Sequence, residues 1–193
     1  MPNARPLALL LALLPFAPAA SAQVPLRGEL ARLSFMLGEW QGTGWVRYAP
    51  DGPMREARVT GKGQPRLGGL VLGWSSVATS TDRERATVLS NDLGVRFRAD
   101  SSVYRATLQH GSASVQGWVR AGACTMEWGY TNPANARSLF RFSARLAGGS
   151  LVEAGERSSD GGSTWWPFYA AQMSGPAVAG CEAPAQNTAQ PAP

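Results

Sequence analysis

The sequence predicts an all-β protein, an antiparallel up-and-down β-barrel of about ten strands with one short N-terminal helix. Apolar and polar residues alternate over short segments, turn residues separate these segments at regular intervals, and no helical pattern lies between them. Closing about ten strands into a barrel would remove exposed sheet edges. A two-sheet sandwich is the main alternative.

Residues 1–22 have the pattern of a signal peptide. Arg5 precedes an apolar run from Leu7 to Phe16, and small residues follow up to Ala22. The run is short for a bilayer span, although an uncleaved anchor and a buried helix are alternatives. We therefore expect cleavage near Ala22 and a periplasmic or secreted product without a stable membrane anchor.

Residues 23–180 have the length of one domain with its own core, and no linker divides them. Leu26, Leu30 and Leu33 have helical spacing and predict a short helix before the first strand. Residues 181–193 are rich in Ala and Pro, so we expect a tail that is disordered after Cys181.

From residue 38 onward the apolar pattern has a period of two, which is typical of strands with one buried face. Each of three segments sets its apolar residues on one face: Tyr104, Ala106 and Leu108; Cys124, Met126, Trp128 and Tyr130; Phe140, Phe142, Ala144 and Leu146. Turn residues predict chain reversals at 50–52, 91–94, 110–111, 132–133, 148–149 and 160–162.

Three segments carry a resemblance to a known family. Residues 33–45 place Gly38 and Trp40 at the entry of the first strand, residues 66–72 follow, and residues 155–165 form a final hairpin. Together they resemble bacterial lipocalin-like proteins of unknown function, of the calycin type, and more distantly nitrobindins and fatty-acid-binding proteins. The resemblance spans nearly the whole mature chain and implies a barrel with room for one small ligand.

The nearest characterised relatives bind haem through a histidine near the C-terminal strand. The matching stretch here, residues 165–173, contains no histidine, although Tyr169 and Met173 lie in it. Both are more simply residues of the barrel wall. We therefore expect no cofactor.

Cys124 and Cys181 are the two cysteines of the chain. An oxidising compartment favours one disulfide, worth about 3 to 4 kcal/mol on the chain-entropy model, and two unpaired thiols are the alternative. No metal site is expected, because Cys and His are not clustered.

No catalytic set is expected. His110 is the only histidine and precedes a turn glycine, so we interpret it as a turn residue. Glu127, Glu153 and Glu156 lie in or near strands, where carboxylates are ordinarily solvated or paired with Arg. Asp160 begins a hairpin turn that lacks the lysine of a phosphate-binding loop.

The aromatic residues are the more informative set, since the chain has 7 tryptophans. They predict either a pocket for a flat or apolar ligand or a barrel interior filled by the rings themselves. The candidates for pocket residues are Trp40, Trp45, Trp74, Tyr104, Trp118, Met126, Trp128, Phe140, Phe142 and Tyr169.

The net charge of +5 comes almost wholly from single, scattered arginines, which does not favour nucleic-acid binding. The sequence therefore predicts an exported, non-enzymatic protein that binds a small hydrophobic ligand. The alternative is an envelope structural or protein-interaction module with a filled barrel. The oligomeric state is left open.

Overall fold

The computed structural model describes residues 24–83, 85–110, 112–178 and 181. The predicted signal peptide, its cleavage point and the tail after Cys181 lie outside these residues. Ten antiparallel strands close into a barrel in the order β1-β10-β9-β8-β7-β6-β5-β4-β3-β2. The predicted up-and-down β-barrel is confirmed, and the two-sheet alternative is excluded.

The strands follow one another with short connections, and each pairs with its neighbours in sequence. Their bounds are β1 Gly38–Val46, β2 Arg55–Arg66, β3 Val71–Ser80, β4 Thr87–Arg98, β5 Val103–His110, β6 Ala113–Gly122, β7 Thr125–Thr131, β8 Leu139–Ala147, β9 Ser150–Ser158 and β10 Trp166–Ser174.

The predicted N-terminal helix is a 3-10 helix, Gly28–Met36, and a second 3-10 turn spans Leu67–Gly69. The first helix lies at one end of the barrel, where the Tyr104 hydroxyl donates a 2.9 Å hydrogen bond to the carbonyl oxygen of Glu29. Its apolar side chains are buried: Leu30, Leu33, Phe35 and Met36. We call this end the helix end and the opposite end the distal end.

Trp40 lies just after this helix, at the start of β1, and is fully buried. Its indole Nε1 donates a 3.2 Å hydrogen bond to the carbonyl oxygen of Met36, so the ring has a polar partner inside the core. Trp40 therefore lies at the entry of the first strand, as the resemblance implied, and it helps to close the helix end of the barrel.

The period-two pattern correctly predicts the inner face of several strands. In β8, Phe142, Ala144 and Leu146 are buried, whereas Ser143 and Arg145 are exposed. The buried residues of the ten strands and of the 3-10 helix form one continuous core.

The predicted turn at 91–94 is wrong, because these residues lie inside β4. Asn91 points into the barrel and donates a 3.4 Å hydrogen bond from Nδ2 to Oγ of Ser76. Asp92 points outward, 3.7 Å from Arg66. Because both polar side chains have partners in the sheet, the strand continues through residues that usually favour a turn.

Cys124 and Cys181 form a disulfide, with their Cα atoms 5.6 Å apart, which confirms the predicted pair. Cys124 has a φ of 56° and lies in the turn between β6 and β7. The bond ties the segment after β10 to the helix end of the barrel.

Candidate functional site

The predicted pocket residues divide between the two faces of the barrel wall. Trp45 and Trp118 face outward, and Trp118 is 41% exposed. The others face the interior or its ends: Trp40, Trp74, Tyr104, Met126, Trp128, Phe140, Phe142 and Tyr169.

The middle of the barrel is packed with aromatic rings that lie against glycines. A Cβ atom at Gly61 would lie 2.6 Å from the Trp74 ring, and one at Gly155 would lie 2.9 Å from the Phe168 ring. The rings of Trp128 and Phe142 stack with their centroids 5.2 Å apart. The small residues therefore provide the space that the rings occupy.

A buried carboxyl group lies among these rings. Glu153, on β9, is fully buried and accepts hydrogen bonds from Nε1 of Trp74 at 3.2 Å and from the Tyr169 hydroxyl at 2.7 Å. The Ser76 side chain is a third partner. Burial raises the pKa of Glu153, although these hydrogen bonds act in the opposite direction.

Tyr169 responds to the same surroundings. Burial and the neighbouring Glu153 carboxyl raise the pKa of Tyr169 above its ordinary value, so its hydroxyl stays protonated as a donor. The interior thus holds a polar cluster in which each member has a hydrogen-bond partner.

The distal end carries a second group of aromatic residues together with one arginine, which we call the distal cluster: Tyr130, Phe140, Arg157, Trp166 and Phe168. The rings of Tyr130 and Phe140 stack at 5.0 Å, and Phe168 meets Phe140 edge to face at 5.7 Å. Burial raises the pKa of Tyr130 to about 12. Because most of these side chains are partly exposed, the cluster borders solvent.

Arg157 is the cation of the distal cluster. Its guanidinium carbon lies 5.3 Å from the centre of the Phe140 ring. Its Nε is buried and has no hydrogen-bond acceptor among the described residues, and no described carboxylate forms an ion pair with it. The guanidinium therefore lies against the aromatic surface of Phe140 without a described carboxylate partner.

Trp128 precedes Tyr130 by two residues on the same face of β7, so it lies farther from the distal end, inside the barrel. It is fully buried, and no atom of the described residues accepts a hydrogen bond from its Nε1. A buried donor without an acceptor costs about 1–3 kcal/mol. Two buried donors therefore lack an acceptor among the described residues, Trp128 in the middle of the barrel and Arg157 at its distal end. The Oγ atom of Ser138, just before β8, is a third buried polar atom without a described partner.

Sequence reasoning treated the three glutamates of the strands alike, and the structure separates them. Glu127 and Glu156 face outward, each within 4.0 Å of an arginine, whereas Glu153 faces inward. The sequence contained a signal for this difference. Glu153 is two residues from both Leu151 and Gly155, which are buried, so all three lie on the inner face of β9.

The sequence analysis also did not identify Arg157 as an interior residue, although it lies on the same face of β9 as Glu153, four residues away. The side chain of the other candidate, His110, lies outside the described part of the structure. Asp160 lies in the predicted hairpin turn, where it accepts hydrogen bonds from both the backbone N–H and the hydroxyl of Thr164. Those bonds lower the pKa of Asp160.

Within the described ranges, no group of three His, Cys, Asp or Glu side chains is arranged to hold a metal ion. Among the helices described, none combines the length and the apolar character needed to cross a membrane.

Comparison with known proteins places the fold but not the family. No protein-family model matches the sequence, and no curated protein matches it. The crystal structure of Rv2717c from M. tuberculosis matches with a TM-score of 0.59 and 17% identity, over 79% of this chain and 99% of that one. At this identity the likeness shows a shared barrel fold alone.

Proposed function

We propose that this chain is an exported, non-catalytic, lipocalin-like protein that binds a small apolar molecule at the distal end of its barrel. The observation that carries the proposal is Arg157 Nε, a buried donor without a described acceptor within the partly exposed distal cluster. Trp128 Nε1, next to Tyr130 on the inner face of β7, is a second such donor. A bound molecule with an acceptor group would supply the missing partner.

The distal cluster also favours one class of molecule. The partly exposed rings of Tyr130, Phe140 and Trp166 offer apolar and flat surface. The half-buried guanidinium of Arg157 favours an anion, and carboxylates suit its planar set of donors. The ligand class is therefore a small carboxylic acid with an aromatic or aliphatic body.

The compartment is supported by two features. The first 22 residues have the signal-peptide pattern, and the disulfide between Cys124 and Cys181 suits an oxidising environment. We propose no catalytic step, because ligand binding by these side chains requires no nucleophile or base.

Calorimetric titration with defined acids tests the proposal. Naphthoate and laurate should bind more tightly than naphthol and lauryl alcohol, which have the same bodies without the carboxylate. Arg157→Gln should weaken the binding of the acids about tenfold, equivalent to about 1.4 kcal/mol, and leave the affinity for the alcohols unchanged. Arg58→Gln is the matched control, because Arg58 is exposed on the outer face of β2.

The proposal is contradicted if the acids and the alcohols bind equally well, or if Arg157→Gln and Arg58→Gln behave alike. Thermal unfolding of each variant checks that the barrel is intact.

A second candidate function is a filled scaffold that interacts through its outer surface. It is favoured by the close packing of the middle of the barrel, where Trp74 and Trp128 are fully buried. This candidate predicts that none of the four probes binds at the distal end.

A further inference from the structure

A concavity on the described surface lies outside the barrel, on the wall formed by β5 to β9. It has a volume of about 850 Å³, in the range of small-molecule sites. We call it the outer groove. The groove opens on the outer face of the wall, and Tyr130 and Phe140 of the distal cluster also contribute to its lining, whereas Arg157 does not.

The sheet register explains which residues line the outer groove. One row runs directly across five strands, each member paired with the next: Arg105, Trp118, Gly129, Arg141 and Glu156. The next row, toward the helix end, contains Arg120, Glu127, Ser143 and Ala154. The depression forms because Gly129, at the centre of the first row, and Ser143 and Ala154, in the second row, are shorter than the side chains around them.

Trp118 and Gly129 form one side and the floor of the groove. A Cβ atom at Gly129 would lie 2.7 Å from the Trp118 ring, so only glycine lets the indole lie against the sheet. Trp118 nevertheless stays 41% exposed, which is unusual for so large an apolar side chain. The guanidinium of Arg120 lies 5.4 Å from its ring centre.

Trp165 stands on the other side, in the segment before β10. Its ring lies 4.2 Å from the guanidinium carbon of Arg141, and its Nε1 donates to the carbonyl oxygen of Gly162 at 3.1 Å. Arg141 in turn forms a 2.6 Å ion pair with Glu156. Stacking and pairing together hold this side of the groove in one geometry.

The groove contains both positively and negatively charged side chains, and both hydrogen-bond donors and acceptors. Donors come from three arginines and Gln116, and acceptors come from Glu127, Glu156, Thr131 and Ser143. Arg120 pairs with Glu127 and Arg141 pairs with Glu156, so most of the charge of the groove is already balanced and an anion has little to attract it. The many polar groups disfavour a purely apolar chain. A ligand that matches them must carry several neutral hydroxyl groups and an apolar face.

We propose that the outer groove binds a neutral oligosaccharide. Sugar rings present a C–H face that packs on an indole, and hydroxyl groups around their edge that both donate and accept hydrogen bonds. Trp118 would take the C–H face, while Arg105, Gln116 and Glu127 would bind hydroxyl groups. Because the groove lies on the outer wall, a chain can continue beyond it at either end.

Titration with a panel of neutral pentasaccharides tests the proposal: maltopentaose, cellopentaose, xylopentaose and chitopentaose. Tryptophan fluorescence and saturation-transfer NMR are the readouts, up to about 10 mM sugar, which detects dissociation constants near 1 mM. At least one member should bind, with its ring protons in contact with indole.

Variants locate the site. Trp118→Ala should weaken binding about tenfold or more, and Trp118→Phe should recover part of it, because a ring that packs on the sugar returns. Trp45→Ala is the matched control, since Trp45 also lies on the outer wall but on β1. Arg157→Gln should leave sugar binding unchanged, which separates this site from the distal cluster.

Three results would overturn the proposal. The first is that no member of the panel binds. The second is that Trp118→Ala and Trp45→Ala weaken binding equally, because the sugar would then contact no specific part of the wall. The third is a preference for glucuronate oligomers over every neutral sugar, since the ion pairs of the groove leave little charge to attract an anion.

Discussion

The Tyr169 hydroxyl donates a 2.7 Å hydrogen bond to Oε2 of Glu153 inside the barrel, where both residues are almost completely buried. The other carboxylate oxygen accepts from Trp74. A carboxyl group in this position is expensive to ionise, because burial opposes the charge, and only the surrounding donors offset that cost. Stability should therefore depend on both residues.

Replacing Glu153 should change how stability depends on pH. Because burial raises the pKa of Glu153 in the folded state above the ordinary 4.5, its contribution is present below that pH and is lost as pH rises through the folded-state pKa. Glu153→Gln cannot lose a proton, so the wild type should lose stability relative to this variant as pH rises. Urea unfolding across a pH series measures the difference, and parallel curves would contradict it.

Removing the Tyr169 hydroxyl should destabilise the barrel. Tyr169→Phe leaves one oxygen of buried Glu153 without its donor, at a cost of about 1–3 kcal/mol. The cost should be smaller in a Glu153→Gln background, because the remaining partner is neutral. A double-mutant cycle measured by urea unfolding gives this coupling, and additive effects would argue against it.

A larger residue at Gly61 should disturb the packed interior. A Cβ there would lie 2.6 Å from the Trp74 ring, so Gly61→Val should cost about 1–3 kcal/mol through overpacking. Thr60→Val, the neighbouring outward position on β2, should change the free energy of unfolding by less than about 0.5 kcal/mol. Equal effects at the two positions would mean that the interior has unfilled space beside Trp74.

Breaking the disulfide should lower stability while leaving the barrel folded. Cys124 and Cys181 are separated by 57 positions, and loss of their bond should cost about 3 to 4 kcal/mol. Denaturant unfolding should give the same free energy of unfolding for the reduced wild type and for the double variant Cys124→Ala, Cys181→Ala. Wild type that unfolds at the same denaturant concentration with and without reductant would show that the bond contributes nothing.

Much of the fold could be predicted because alternation is a local signal. Phe140, Phe142, Ala144 and Leu146 share one face of β8 whatever the rest of the barrel does. Turn residues then set the number of strands, and ten strands need closure. The turn predicted at Asn91 is wrong because the side chain of Asn91 donates a hydrogen bond to Ser76 on another strand. A pattern of neighbouring residues carries no information about such a contact.

The candidate site was harder to predict, because period two shows which residues share a face but not which face is inside. In β1, Trp45 alternates with Gly44, and the glycine takes the inner face. A Cβ at Gly44 would lie 2.2 Å from the carbonyl oxygen of Ala170, so the close approach of β10 requires a glycine there. Trp118 faces outward beside Gly117 in the same way.

Polar groups inside the barrel were equally hidden from local patterns. Glu153 and Arg157 are ordinary strand residues by composition, and their roles depend on rings contributed by distant strands, such as Trp74 and Phe140. Only the closed barrel brings these groups together.

Native mass spectrometry of the protein purified from the compartment to which it is exported tests the central claim most directly. The account predicts that the wild type carries a small acidic, largely apolar molecule, and that Arg157→Gln reduces its occupancy while Arg58→Gln does not. A wild type that shows only the mass of the polypeptide, and that binds neither naphthoate nor laurate afterwards, would contradict it.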